Sequence, residues 1–200
     1  MTGKRTTIYL ARHGQTALNE SGVLRGLLDP PLNETGQRQA TLLGKALGPL
    51  RPALVVASPL LRARETAQPV ADHAGLTVTA ERSLLDRDYG RWAGTPKDAV
   101  TAQWGSVDAA PGVEPRSTIR IRALEGLTDL VKDFPGATLV AVSHDAVNQE
   151  VLAALDPGLG DPDGIQQDNG CFNILQWADG SMAVLSVNVL PGAQCRGAAG

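Results

Sequence analysis

Cysteine occurs only twice in the 200 residues, at Cys171 and Cys195. Two lone cysteines make no disulfide framework, so a reduced, cytoplasmic protein is expected. Histidine is nearly as scarce. Three widely spaced histidines and two cysteines leave little for a metal site. No metal and no cofactor are therefore expected. Long apolar runs are missing too. Stretches such as Ala137–Val142 fall far short of the roughly 18 residues that cross a bilayer. At the N-terminus, Lys4 and Arg5 precede only Ile8–Ala11 before Arg12 interrupts, too little for a secretory leader. Positive charge is not in excess. Eighteen Lys and Arg stand against 21 Asp and Glu, a formal net charge of −3, which argues against nucleic acid as a partner. A small anionic ligand stays compatible, because a pocket can be positive on a slightly acidic protein.

What is present suits one globular domain. Hydrophobic residues make up 42% of the chain, enough for an ordinary core. The 22 Gly and 13 Pro together stay below the roughly 25–30% that marks disorder. Residues 1–190 are read as a single domain. Residues 93–115, rich in Gly, Pro and Asp, read as an excursion loop, and 191–200 as a flexible tail.

Three short, β-branched runs read as buried strands: Thr7–Ala11, Ala53–Ala57 and Thr138–Val142. They end in Arg12-His13-Gly14, Ser58-Pro59 and Ser143-His144-Asp145. Helices alternate with them. Asn33 caps a helix carrying Ala40, Leu43 and Leu47, ending near Gly48-Pro49. Ser58 followed by Pro59 reads as an N-cap and first-turn proline for the next helix, through Ala63, Ala67, Val70 and Ala74 to Gly75. Ile119 to Phe134 has helical spacing. Another helix follows His144 and stops before Pro157. Further strands are expected at Leu76–Ala80, Cys171–Trp177 and Met182–Val189, the last two joined as a hairpin at Ala178-Asp179-Gly180. The expected fold is α/β: a three-layer αβα sandwich with a largely parallel central sheet and an antiparallel edge strand.

Open α/β sheets bind ligands at the carboxyl ends of their strands. Those ends carry Arg12 and His13, Ser58 with Arg62 one turn on, and His144. Two imidazoles, two guanidinium forks and helix N-termini on one rim suit a phosphoryl group. A neutral histidine can be the nucleophile.

Five segments carry a resemblance. LARHGQTALN (Leu10–Asn19) resembles the opening motif of the histidine phosphatase superfamily, which includes the cofactor-dependent phosphoglycerate mutases. RGLLDPPLNETGQRQA (25–40), ASPLLRARETA (57–67), LLDRDYGRWAG (84–94) and VAVSHDAV (140–147) resemble its later motifs, in order and across nearly the whole chain. The resemblance implies a phosphoglycerate mutase-like fold. It implies that His13 is the phosphorylated nucleophile and that Arg12, Arg62 and His144 hold the phosphoryl oxygens. Asn19 matches a pocket-lining position, and Arg25 is placed at the pocket mouth. Tyr89 and Lys97 match mutase-like substrate positions. Asp86 stands where the family usually has a glutamate proton donor. Asp145 follows His144 where many relatives have glycine, and in another branch an aspartate there is the donor. Both carboxylates are thus candidate acids. Asp86 is favoured because its whole motif matches.

Plainer readings stand beside these. Asp86 could be the partner of Arg87 or Arg25, and Asp145 could cap the helix it begins. Trp92 and Trp104 could line the substrate mouth or simply pack. Cys171 reads as core, His73 as an exposed helix residue, and Arg38, Arg51 and Arg64 as solvated. Gly14 and Gly94 read as tight turns. Lys97 is the only cation in 93–115, and the paired arginines of mutases are missing. Together with the short length, this favours a phosphatase acting on small phosphorylated metabolites over a mutase. A catalytically silent phosphate-binding protein on the same fold is the remaining alternative. The hairpin could present a sheet edge for a homodimer. No membrane partner is expected.

Overall fold

The computed structural model describes residues 4–192. Cys195 and most of the expected tail, residues 193–200, lie outside the described residues. Strand β1 (Thr6–Arg12) leads through a short helix, α1 (Ala17–Glu20), to α2 (Glu34–Leu47). Then follow β2 (Leu54–Ala57), α3 (Leu61–Ala74) and β3 (Val78–Ala80). Helices α4 (Lys97–Trp104) and α5 (Arg116–Asp133) precede β4 (Thr138–Ser143) and α6 (Asp145–Leu155). Strands β5 (Phe172–Ala178) and β6 (Ser181–Val189) close the described chain.

The six strands form one sheet in the order β3-β2-β4-β1-β5-β6. Pairings β2–β3, β2–β4 and β1–β4 are parallel; β1–β5 and β5–β6 are antiparallel. The hairpin turn is the expected one. Asp179 and Gly180 take φ of 51° and 84°, the left-handed pair that matches strand twist in a two-residue turn.

Alternation along the central strands builds two cores. Ile8, Leu10, Leu139 and Ala141 face α5 and α6, against Ile119, Leu127, Val147 and Val151. Ala11, Val55, Ala57, Val140 and Val142 face α2 and α3, against Leu43, Leu47, Ala67 and Val70. Each fully buried Val, Leu or Ile among them contributes about 1.5–3 kcal/mol. The helices thus hold both faces, and the sheet they clamp fixes the site at its rim.

Several local expectations need correction. Ser58 does not cap α3 and Pro59 is not its first residue. The N-cap position is Leu60, with no side-chain cap. The excursion is not all loop, since α4 occupies its middle. Val100 is buried there with Leu24, Val107 and Ala110, and Trp92 packs on them, so the segment carries a small core of its own. Trp92 and Trp104 meet edge to face at 6.0 Å, which is packing. Gly94 has φ of 83°, as a tight turn requires, but Gly14 does not have positive φ. Gly14 is needed for close approach instead: a Cβ there would stand 2.7 Å from the Gly36 carbonyl oxygen. That contact brings the start of α2 against the His13 loop. Cys171 is buried and free, and His73 is exposed. Among the described residues, no helix is long and apolar enough to cross a membrane.

Candidate active site

The sheet register brings the sequence candidates together. Arg12 pairs with Ser143 across β1–β4, and Ala57 pairs with Val142 across β2–β4. His13, Ser58 and His144 are each the next residue. The His13 amide donates to the Ser143 carbonyl at 3.0 Å, and the Ser58 amide to that of Val142 at 2.9 Å. The ladder therefore runs on into the site and holds these residues rigidly.

His13 is fully buried. Its Nδ1 lies 2.6 Å from the Gly14 carbonyl oxygen. A carbonyl can only accept, so Nδ1 carries the proton and Nε2 presents its lone pair. Arg62 Nε donates to that Nε2 at 3.3 Å. Burial first, then Arg62 and Arg12, hold the His13 pKa well below the ordinary imidazole value. The ring is neutral, as a nucleophile must be.

Arg62, in the first turn of α3, is also fully buried. It donates to the carbonyls of Leu28 at 2.6 Å and Gly26 at 2.9 Å, and to Asp86 Oδ2 at 2.7 Å. Thr66, one helical turn on, donates to the Arg62 carbonyl at 2.7 Å and accepts from the Gly14 amide at 2.9 Å. One guanidinium thus joins His13, the 26–28 segment and a carboxyl group. His144 Nε2 lies 2.8 Å from Ser58 Oγ, and its ring centroid is 5.1 Å from that of His13. Burial, Arg62 and His13 keep its pKa low as well.

The two candidate acids occupy unlike surroundings. Asp86 is buried, and the Arg87 amide donates to its Oδ1 at 2.8 Å. Its Oδ2 lies 3.6 Å from His144 Nδ1. Burial outweighs Arg62 and raises the Asp86 pKa above its ordinary value. Its ion-pair partner is Arg62, not Arg87 or Arg25. Arg122 on α5 donates to the Asp86 carbonyl at 3.2 Å and the Ser83 carbonyl at 2.7 Å, fixing the loop that carries the acid.

Asp145 opens α6, though the N-cap position is His144. Its carboxylate bridges two arginines: Arg12 NH2 at 3.2 Å, and Arg25 NH2 at 3.1 and 3.3 Å. Burial opposes ionisation there, but Arg12 and Arg25 outweigh it and hold the carboxyl well below the usual range. Arg12 NH1 is held by the Gln167 carbonyl. Arg12 Nε and Arg25 Nε are buried donors with no hydrogen-bond partner. Such orphaned cationic donors are costly unless an anion meets them. The arrangement can therefore take an anion with several oxygens beside a neutral nucleophile.

Outside this cup lies a pocket of about 440 Å³. Arg25, Tyr89, Lys97, Arg116, Asp108 and Asp145 are on its walls. Asp108 accepts from Arg87 at 2.6 Å and Arg116 at 2.8 Å, tying the excursion to α5. Asn19 is not on these walls. Its Oδ1 accepts from the Thr16 amide and hydroxyl, both at 2.9 Å, and so serves the start of α1.

Ser58 stands on the rim directly after β2 as expected, but its contact with His144 was not legible in the sequence. Other residues escaped the sequence altogether. Thr66 lies within the same motif as Arg62. Gln167 acts through its backbone carbonyl in an irregular segment, which no residue type announces. Among the described residues, no group of three or more His, Cys, Asp or Glu could hold a metal ion.

Comparison with known proteins gives the family of the chain. A family model described as the histidine phosphatase superfamily (branch 1) matches residues 8–190. A Bacillus subtilis (strain 168) protein named uncharacterized phosphatase PhoE is 27% identical over 184 residues, covering 92% of this chain and 95% of that protein. A bifunctional protein of Mycobacterium tuberculosis (strain H37Rv) is 33% identical over 201 residues. That match covers 93% of this chain but 54% of that protein, so the chain spans about half its length. The solved structure of Bacillus stearothermophilus YhfR is 26% identical, with a TM-score of 0.83 over 92% of this chain and 98% of that one.

Proposed function

Because the chain belongs to the histidine phosphatase superfamily, we propose that it is a phosphatase that hydrolyses small phosphomonoesters through a phosphohistidine on His13, without a metal. The observation that carries this reading is the state of His13: buried, neutral, its tautomer set by the Gly14 carbonyl, its Nε2 lone pair beside Arg62. A homologue named as a phosphatase supports the same reading.

In the first step Nε2 attacks phosphorus and the bond to the leaving oxygen breaks. The ring becomes an N-phosphoryl imidazolium, and the leaving oxygen takes a proton from Asp86. Arg12, Arg62 and His144 meet the phosphoryl oxygens, where charge is spread in the transition state. In the second step water attacks the phosphohistidine. Asp86, now a carboxylate, takes the water proton, and the N–P bond breaks to release phosphate and neutral His13. Asp86 suits this exchange because its raised pKa lets it keep and return a proton. Asp145 does not suit it, since two arginines hold it ionised.

Hydrolysis, rather than phosphoryl return to a bound alcohol, is favoured by the outer pocket. Its arginines are paired: Arg116 with Asp108, Glu150 and Asp163, and Arg25 with Asp145. They are not set to retain an anionic intermediate while it reorients.

The test is phosphate release from an activated aryl phosphate and a panel of sugar and glycerate phosphates, with chelator present. Wild type is expected to release phosphate and His13→Ala to release none. Acid-quenched wild type should also carry acid-labile phosphate on His13. Equal release by His13→Ala would overturn the mechanism.

A further inference from the structure

Like Arg25, Asp145 belongs to both halves of the site. It lines the outer pocket, and it touches Arg12, whose neighbour in the chain is the nucleophile. An ester with its phosphate at His13 and its alcohol part in the outer pocket would pass this carboxylate. Helix capping does not explain the arrangement. Asp145 Oδ1 does accept from the Ala146 amide at 3.0 Å, but a cap has no need of two guanidinium groups as well. Nor is Asp145 the proton donor, because Arg12 and Arg25 keep it ionised.

The carboxylate has two effects of the same sign. It offsets one of the three positive charges, on Arg12, Arg25 and Arg62, that surround the phosphoryl position. It also occupies the Arg12 and Arg25 amino groups that could otherwise meet a second anion. Farther out, Asp108 and Asp163 are paired with Arg87 and Arg116, while Thr101, Ser106 and Gln149 offer neutral hydrogen-bonding groups. Lys97 is exposed at the rim, where its charge is screened by solvent and salt. An anionic group just beyond the scissile phosphate would therefore face Asp145 with the nearest Arg12 and Arg25 amino groups already engaged by it. A hydroxyl group there would find partners.

Resting on the phosphatase reading above, we propose that Asp145 determines specificity: its carboxylate selects phosphomonoesters with a neutral, hydroxyl-bearing alcohol part and rejects those with a second anionic group beside the phosphate. Such rejection is selection by repulsion, the cheaper way to discriminate between ligands of one shape.

A matched pair of esters tests this. Glycerol 3-phosphate and 3-phosphoglycerate share their carbon chain and phosphate and differ by a hydroxymethyl against a carboxylate. Wild type should show the higher kcat/KM for glycerol 3-phosphate. Asp145→Asn should shrink that ratio by about tenfold or more, as expected for removing one nearby charge of like sign. Asp145→Ser, which leaves a short acceptor at the start of α6, gives a second neutral variant should the first fold poorly. Calorimetric affinities for the same two esters, measured in a His13→Ala background with and without Asp145→Asn, supply a readout free of turnover. The affinity ratio should move in the same direction. Failure of wild type to release phosphate from any compound would sink the phosphatase reading, while the affinities would still decide the role of Asp145. A wild type that favours 3-phosphoglycerate, or ratios unchanged by both neutral variants, would overturn the proposal.

Discussion

The inner cup and the outer pocket meet at Asp145, yet they are built on opposite plans. The cup is made by strand ends. His13, Ser58 and His144 each follow a central strand directly, and ladder hydrogen bonds run through them. His13, Ser58, Arg62 and His144 are fully buried there. The pocket is made by an excursion around α4, with a small separate core and half-exposed ion pairs. Each region carries a carboxylate in contact with arginine, and the two titrate in opposite directions. Burial wins at Asp86 and arginine wins at Asp145. Contact with a cation therefore does not decide the state of an acid. The balance of desolvation against the number of cations does. The comparison implies that substitutions in the cup act on turnover, and substitutions in the pocket act on binding and choice.

The sharpest break would come at Arg62. It touches His13, Asp86 and two backbone carbonyls at once. Arg62→Ala should lower kcat/KM by about 10³-fold, the upper end for loss of one transition-state donor. It should also lower the melting temperature, because Asp86 and two carbonyls lose a buried partner. Steady-state kinetics and a thermal melt measure both. A loss below tenfold would mean that the cup is not organised around this residue.

Asp86→Asn comes next. General acid catalysis contributes about 10²–10⁴-fold, and the loss should be greatest for alkyl esters and smallest for an aryl phosphate with a good leaving group. The pH profile should change too. His13 must be neutral, so activity falls as pH drops through its lowered pKa, and that limb lies below the range of free imidazole. Asp86 must be protonated, so activity falls as pH rises through its raised pKa. Asparagine should abolish the basic limb and leave the acid limb in place. An equal loss from Asp145→Asn, with the basic limb moved there, would reverse the roles of the two carboxylates.

The same contrast governs what could be read from the chain. The cup was legible because strand ends are marked by abrupt changes from β-branched to polar residues, and because register follows from parallel packing. Arg12, His13, Arg62, Asp86 and His144 converge as the motifs imply. Their partners were legible only where the residue type itself carries the bond. Ser58 looked like a helix cap because Ser-Pro commonly is one, and only the tertiary position of His144 redirects its hydroxyl. Gln167 contributes a carbonyl, which every residue has. In the excursion, Gly, Pro and Asp masked α4, whose stability comes from burying Val100 against Leu24 and Val107 rather than from local propensity. The pocket-lining position of Asn19 rests on resemblance alone; its Oδ1 accepts from Thr16.

The smallest expected effect is at Asp108, and it tests the pocket side of the comparison. Asp108 is half exposed, and its two oxygens hold Arg87 and Arg116, linking the excursion to the acid-bearing loop and to α5. Asp108→Asn keeps one acceptor and removes the charge, so the excursion loosens without losing its buried core. KM for a bulky sugar phosphate should rise by a few fold, because the wall that meets the alcohol part is less ordered before binding. For a small aryl phosphate KM should hardly move, since little of that ester reaches the wall. The kcat values for both should stay within about twofold, because no atom of Asp108 touches the cup. Asp108 is half exposed and asparagine keeps an acceptor for the buried Arg87, so the melting temperature should shift by only a few degrees. A fall in kcat of tenfold or more with KM unchanged would mean that the excursion positions Asp86 through Arg87, whose amide donates to the Asp86 carboxyl. Cup and pocket would then be one mechanical unit, and the division between turnover and choice would fail at that bond.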